Sequence, residues 1–430
     1  MNITSTPEYY GYKIGQNIAP FINLCIEKTN ECYIGPGVHI MGRNDKLWRV
    51  GNVWGDNMIQ WGWTRKYGVK IIGAGREKTT LKLIDNVQSR YLMDQDRDSV
   101  FMIHTNYNQS CDDCTIRGIT FDGNYRANFQ TSTINAIRIR GENPSIQDCA
   151  FMDFGVGNNQ KAECFYVAVG PINGDGIGPV ITNNLFTKMG GKTNSPAGFV
   201  PEQTLIAFGG KNAEVTKNVF VDCTFHPKNQ QCPLHAIAFG QTENALISEN
   251  IFINFNGQCI YNDSFTNKGA RIVNNKALNV WNFVQLSCQK WADPNQITFN
   301  QDHLISKNLV ILSSDPTYHQ WDRPPGISSF FGYIYSPELD KTKYAGFKNI
   351  VVDDNTIYLG EQIVNKKNRK YSDLLVSYWG GTVDKSKILM TDKNTIISTD
   401  RRAYTKAFID NVTQAMAEIN KNKPPKTKKK

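Results

Sequence analysis

Ile181-Thr-Asn-Asn184-Leu-Phe186, Val215-Thr-Lys-Asn218-Val-Phe220 and Ile247-Ser-Glu-Asn250-Ile-Phe252 are three copies of one pattern. It reads aliphatic residue, two variable residues, Asn, one variable residue, apolar residue. Four further copies follow at Ile272-Val-Asn-Asn275-Lys-Ala277, Ile305-Ser-Lys-Asn308-Leu-Val310, Val352-Asp-Asp-Asn355-Thr-Ile357 and Thr391-Asp-Lys-Asn394-Thr-Ile396. Two earlier segments, Ile116-Arg-Gly-Ile-Thr-Phe121 and Ile146-Gln-Asp-Cys-Ala-Phe151, keep the apolar positions and lack the Asn. Repetition at intervals of tens of residues is the signature of a solenoid. Asn tolerates the left-handed conformation better than other non-Gly residues, so it is expected at the bend between two short strands. Stacked bends would let the Asn side chains hydrogen-bond to one another as a ladder.

Working outward, each repeat is preceded by an apolar strand. These first strands include Asn135-Ala-Ile-Arg-Ile-Arg-Gly, Cys164-Phe-Tyr-Val-Ala-Val-Gly, Thr204-Leu-Ile-Ala-Phe-Gly, His235-Ala-Ile-Ala-Phe-Gly and Cys259-Ile-Tyr-Asn-Asp. The ladder Asn residues stand 34, 32, 25, 33, 47 and 39 positions apart. The shortest interval is close to one bare coil, and the longer ones imply loops inserted at one corner. Insertions in a solenoid map to one face, often the binding face. The largest excess lies between Asn308 and Asn355, Asn275 to Asn308 is also extended, and function is expected between Asn275 and Asn355. Residues 17–29 have helical spacing through Ile18, Phe21, Ile22, Cys25 and Ile26, and 401–420 do so through Tyr404, Phe408, Val412 and Met416. Each would cover an open end of the stack.

The 430 residues exceed one ordinary compact core, a limit that a solenoid escapes because repeats pack only on their neighbours. Abundant Gly, Asn and Thr argue for strands and turns. No stretch approaches the roughly 18 apolar residues of a membrane span. Met1-Asn-Ile-Thr-Ser-Thr-Pro lacks a basic start and an apolar run, so no signal peptide is visible. That leaves a virion component, a protein extracellular after lysis, an intracellular chain or one trimmed of its leader. The net charge of +9 is concentrated at the end: six Lys lie within 421–430, leaving about +3 for the rest. The body therefore shows no nucleic-acid face, and only the tail could touch phosphate. Ten Cys are scattered, with Cys111-Asp-Asp-Cys114 the one C-x-x-C and no second pair to complete a zinc site. They read as buried thiols, with a Cys223–Cys232 disulfide as the alternative.

The Asn repeats, the opening helix followed by Tyr33-Ile-Gly-Pro-Gly-Val, and Val69-Lys-Ile-Ile-Gly-Ala-Gly together resemble the pectate-lyase-like superfamily, in the manner of phage tailspike and polysaccharide-depolymerase chains. The resemblance covers about residues 14 to 400. It implies an all-β, right-handed parallel β-helix solenoid of about ten coils, with an N-terminal cap helix and a C-terminal helix. The expected layout is a β-helix domain over 1–400, with the cap helix at 14–30 and a Trp-rich insertion at 44–68. A capping helix over 401–420 and a basic tail over 421–430 complete it. The superfamily's catalytic signatures fail to transfer: there is no G-H-G, N-T-D or R-I-K, and Asp293-Pro-Asn is the nearest approach to the D-P-H-E of the epimerases.

Geometry supplies candidates instead. Aligning first strands on their terminal Gly places Glu163 and Glu202 in equivalent positions on neighbouring coils, about 4.8 Å apart. Two such carboxylates would split their pKa values into an acid and a base, at the separation of a retaining glycosidase. Asp175 in Asn173-Gly-Asp-Gly and His235 at the edge of its strand complete the catalytic candidates, with His235 as general base. Trp281, Trp291, Trp321, Tyr333 and Tyr335 come from the extended coils and suit the apolar faces of sugar rings. The expected function is a polysaccharide-binding and polysaccharide-cleaving protein, hydrolase or lyase, with acidic residues on the floor of a first-strand groove. The alternative is a non-catalytic structural or adhesive virion protein. The expected partners are a polysaccharide and two further copies of the chain in a homotrimer, with no membrane partner. No cofactor is expected, and a calcium ion stays open.

Overall fold

The computed structural model describes residues 5–42, 56–60, 66–86, 99–105, 110–128, 133–155, 164–171, 175–189, 203–223, 234–262, 266–288, 299–312, 329–335, 346–358, 376–380, 388–397 and 410; of these, 56–60, 99, 100, 133, 164, 288, 329–335 and 376–380 are described as backbone alone. The Trp-rich insertion lies largely outside this set. So does the C-terminal helix expected over 401–420, apart from Asp410, which is helical.

The described chain is a parallel β-helix. One sheet stacks eleven short parallel strands, those from Thr115–Arg117 onward each placed just before a ladder position or its Asn-less counterpart: Val180–Thr182 pairs with Glu214–Thr216, which pairs with Leu246–Ser248, and so on up the axis. The strands that follow the ladder position join the first strands in a second, 22-stranded sheet, also parallel. Register is strict because each coil repeats the inward residues of the last. Phe121, Phe151, Phe186, Phe220 and Phe252 stand one above another, with ring centroids 5.3, 4.8, 4.9 and 4.9 Å apart, and all five are fully buried. Those spacings are one strand repeat, so each ring covers the next.

The ladder is present, and its chemistry differs from the expected bend. Asn218 Nδ2 donates to Ile181 O at 2.9 Å on the coil below and to Asn250 Oδ1 at 3.1 Å on the coil above. Asn250 Oδ1 also accepts the Asn218 backbone N–H at 3.0 Å. The same set recurs from Asn184 to Asn394. The left-handed residue is the one before the Asn: Asn183, Lys217, Glu249, Asn274, Lys307 and Asp354 have φ of 54° to 59°. The Asn is selected for its side chain, since only a primary amide offers two donors and an acceptor in so short a reach. Where it is missing, Ile119 and Cys149 occupy the position and are fully buried, behind left-handed Gly118 and Asp148.

Helix α1 (Ala19–Thr29) buries Ala19, Ile22, Cys25 and Ile26 against the first coil. Pro20 occupies its first turn, where a missing N–H costs nothing, and Asn30 ends it in the left-handed conformation at φ 59°. The extra chain enters at more than one corner. In the 25-residue coil a single strand, Ile251–Asn262, runs from the ladder through the first strand with no insertion. Segments 190–202 and 224–233 fall between the two, whereas 289–298 and 336–345 fall after the first strand. Cys111 and Cys114 form a disulfide, where free thiols were expected. Their Cα atoms stand 5.9 Å apart across a turn, within bridging range. Cys223 is free and buried, and Cys232 lies outside the described residues.

Candidate functional site

The first strands build the site. In register, Phe101, Asn135, Phe165, Thr204, His235, Gln258 and Asn282 form one column along the solenoid. Three positions further along the strands, His104, Arg138, Ala168, Ala207, Ala238, Tyr261 and Gln285 form a second. Successive strand residues normally alternate between faces, which would put columns three apart on opposite sides. Here the alternation breaks once. The two residues between the columns both belong to the core: Ala136 and Ile137, Leu205 and Ile206, Ala236 and Ile237. Phe101, Ala238 and Tyr261 are buried but outside that core cluster. The two columns therefore share the outer face and converge across the bend. The Phe101 and His104 rings meet at 5.1 Å, Arg138 lies over the Phe101 ring at 5.8 Å, and His235 stacks on Tyr261 at 4.1 Å with the planes 11° apart. Gln258 Nε2 donates to Gln285 Oε1 across the same gap.

Along this stripe buried polar atoms go without hydrogen bonds. His104 Nδ1, Asn135 Oδ1, Thr204 Oγ1 and Gln258 Oε1 have no partner among the described residues, and their residues are at most 4% exposed. Leaving such a group unmade costs about 1–3 kcal/mol, so four on one stripe set it apart from the fully satisfied Asn ladder. Burial, with help from Arg138 and Arg140, lowers the His104 pKa to about 3, and its ring is neutral at pH 7. Phe165, Ala168, Ala207 and Arg138 are half-buried, so the stripe opens there and closes over His235, Ala238 and Tyr261.

The sequence candidates are dispersed relative to this geometry. His235 lies in the stripe, 1% exposed, packed on Tyr261. Asp175 is exposed in the turn after the strand Cys164–Gly170, beyond the opposite end of the first strands and roughly 15 Å from the His235 column at strand rise. The two do not meet. Glu163 and Glu202 lie outside the described residues. The next residues, Cys164 and Gln203, are paired, which is the alignment the carboxylate expectation rests on. Trp281 is 9% exposed in the strand Lys276–Cys288, next to Asn282. Trp291 and Trp321 lie outside the described residues, and Tyr333 and Tyr335 are described only as backbone of the strand Ser329–Tyr335. Among its described residues the floor of the stripe carries no Asp or Glu, and the glutamates on which the expected acidic floor rests lie outside them. Phe165, Thr204, Gln258 and Arg138 were missed; the aligned Ala168, Ala207 and Ala238 were the available signal. Among the described residues no cluster of His, Cys, Asp and Glu could hold a metal ion.

Fold and stripe together define a parallel β-helix with a largely buried polar–aromatic stripe along its first strands. No family model matches the chain, and no curated protein does. Among solved structures it is similar to the Streptococcus pneumoniae surface protein and adhesin PfbA, with TM-score 0.54, 12% identity and 91% of each chain covered. It is also similar to a mutant tailspike protein of E. coli bacteriophage HK620, with TM-score 0.54 and 10% identity, covering 89% of this chain and 63% of the tailspike. Another mutant of that tailspike, in complex with a pentasaccharide, gives TM-score 0.52 at 12% identity. At these identities the likeness is one of fold.

Proposed function

We propose that this protein binds a polysaccharide along the first-strand stripe, as a virion-borne or extracellular recognition protein. The observation that carries the reading is the row of four buried, partnerless polar atoms interleaved with the rings of Phe101, Phe165 and Tyr261. Sugars match both features: hydroxyls satisfy buried donors and acceptors, and the axial C–H faces pack on aromatic rings. Its likeness in fold to a tailspike seen with a pentasaccharide agrees with this. Cleavage, within the same reading, falls to Glu163 and Glu202, because the described stripe offers no carboxylate.

The test is a glycan panel with purified protein, followed by assay of any retained polymer for reducing ends and for the ultraviolet absorbance of unsaturated products. Binding is expected for wild type and for Glu163→Gln and Glu202→Gln alike, with release of fragments lost in the two variants. Retention of no glycan overturns the proposal. Undiminished cleavage by both variants removes the glutamates from it. Trimerisation belongs to the same reading and is tested by native mass measurement.

A further inference from the structure

The N-terminal cap carries two free thiols that face each other. Cys25 lies on the inner side of α1 with Ile22 and Ile26, all three buried in the core. The helix ends at Thr29, left-handed Asn30 turns the chain, and Cys32 is the second residue of the strand Glu31–Ile34, buried together with Ile34. One side chain pins that turn: the Thr29 hydroxyl lies 3.0 Å from the Cys25 carbonyl oxygen and 2.9 Å from that of Glu31. It holds the helical turn that bears Cys25 against the residue before Cys32, and the two thiols hydrogen-bond to each other.

The pair sits where the solenoid is weakest. A terminal coil has a neighbour on one side only, so opening of a stack starts there. Glu31–Ile34 is the terminal strand of the eleven-stranded sheet, paired with Lys70–Gly73, and α1 covers it. The two thiols also differ in reactivity. The hydrogen bond from Cys32 holds the Cys25 thiol below its usual range, and the same bond, followed by burial, pushes Cys32 up. Cys25 is therefore the nucleophile and Cys32 the resolving thiol. Cys149 and Cys223 are pushed up to about 12, chiefly by burial, and burial raises Cys259 as well, so these three are inert by comparison.

We propose that Cys25 and Cys32 form a redox-operated clip, in which a small external disulfide such as oxidised glutathione converts the pair to a disulfide that locks the cap helix onto the first coil. The Cys25 thiolate attacks the S–S bond of the oxidant, giving a mixed disulfide and one released thiol. Cys32 then gives up its proton and attacks Cys25 Sγ, releasing the second thiol. Two protein thiols are oxidised while one external disulfide is reduced to two thiols. Both sulfurs are buried, so the exchange needs α1 to lift, and that is the motion the product blocks. The bridge closes a loop of eight residues, which removes opened conformations of the cap. The clip does not depend on glycan binding.

The experiment compares the full chain held in oxidised glutathione with the same chain held in a phosphine reductant. Remaining thiols are alkylated, and the denatured protein is digested with trypsin, which cuts after Lys28 and so separates the two cysteines. Oxidised protein should yield peptides 14–28 and 29–43 joined by a disulfide, and reduced protein the same two peptides alkylated. Hydrogen exchange over residues 19–30 should slow by roughly tenfold to a hundredfold on oxidation. Cys25→Ala and Cys32→Ala should each lose that slowing, and the comparison of oxidised with reduced wild type stands by itself if either variant fails to fold. Alkylation of both thiols after oxidation, or a link from either one to another cysteine, overturns the pairing. A link between 14–28 and 29–43 that leaves exchange unchanged, or slowing that persists in either variant, overturns the clip.

Discussion

If the ladder Asn acts through its side chain and the bend is carried by the residue before it, substitutions at two adjacent positions should have opposite signs. Removing the side chain of Asn250 strands the Asn218 backbone N–H, which it accepts at 3.0 Å, and the Val215 carbonyl, to which it donates at 2.9 Å. It also removes one of the two bonds of Asn218 Nδ2. Asn275 Oδ1 keeps the Asn250 backbone N–H at 2.9 Å and so retains a partner. Two stranded backbone groups and one half-satisfied amide, at about 1–3 kcal/mol for each buried group left unpaired, give a cost of about 4 kcal/mol for Asn250→Ala. The unfolding entropy scales to about 0.9 kcal/mol per degree for a chain of this length, so the thermal midpoint should fall by roughly 4–5 °C if the solenoid melts as a unit. Among the described residues the side chain of Glu249, at φ 57°, pairs with Lys217 at 4.0 Å, both exposed, a pair worth little. Glu249→Gly removes the left-handed strain, and should leave stability unchanged or raise it by up to about 1 kcal/mol. Melting followed by circular dichroism decides it. A fall for Glu249→Gly equal to that for Asn250→Ala, or no fall for Asn250→Ala, would refute the division of labour.

Acid should weaken the fold through two histidines. His303 accepts the Ala270 N–H at Nδ1 and faces Asn300 Oδ1 from Nε2, both at 3.0 Å, so the ring is held neutral with its proton on Nε2. Burial lowers its pKa to about 4, and that of His104 to about 3. Both folded values lie below the unfolded 6.5, so stability is full above about pH 6.5 and declines until about pH 4 and pH 3 respectively. At pH 5 the combined loss is about 4 kcal/mol. His104→Gln should remove about half of the pH 7 to pH 5 drop in thermal midpoint, and an unchanged drop counts against the assignment. Phe220→Ala opens the middle of the aromatic stack and should cost about 3–5 kcal/mol by denaturant unfolding; a loss under 1 kcal/mol would show that the stack collapses to fill the gap. Gly257 sits in the register shift between Phe255 and Gln258, and a Cβ there would strike the Leu234 carbonyl oxygen. Gly257→Ala should therefore cost about 1–3 kcal/mol, and a neutral result would mean that the bulge moves.

What could be read from the chain depended on how much chemistry one position demands. Every ladder position from 184 to 394 is Asn because the site needs two donors and an acceptor within one short side chain. That demand is visible as repetition. The bend asks only for a residue that tolerates positive φ, and Asp, Asn, Lys and Glu all fill it, so the repeat pointed at the wrong member of the pair. The Phe column was legible for the same reason as the ladder: five coils place one large apolar residue at one offset.

The stripe was hidden by a parity change. Reading the strand Leu234–Glu243 as a strict alternation puts His235 outward and then Ala238 inward, because their separation of three is odd. Two successive inward residues, Ala236 and Ile237, reverse the parity and bring Ala238 to the face that His235 occupies. Nothing in Ala-Ile, Leu205-Ile or Ala136-Ile distinguishes an inward pair from an alternating one, since all are apolar. The consequence reaches the function. The acidic floor expected from aligned carboxylates before the strands rests on residues outside those described; among the described ones, the outer face that the bend creates gathers Arg138, aromatic rings and unpaired amide and hydroxyl oxygens. Strict alternation would have divided these residues between the two faces of each strand, and the single inward pair is what gathers them on one.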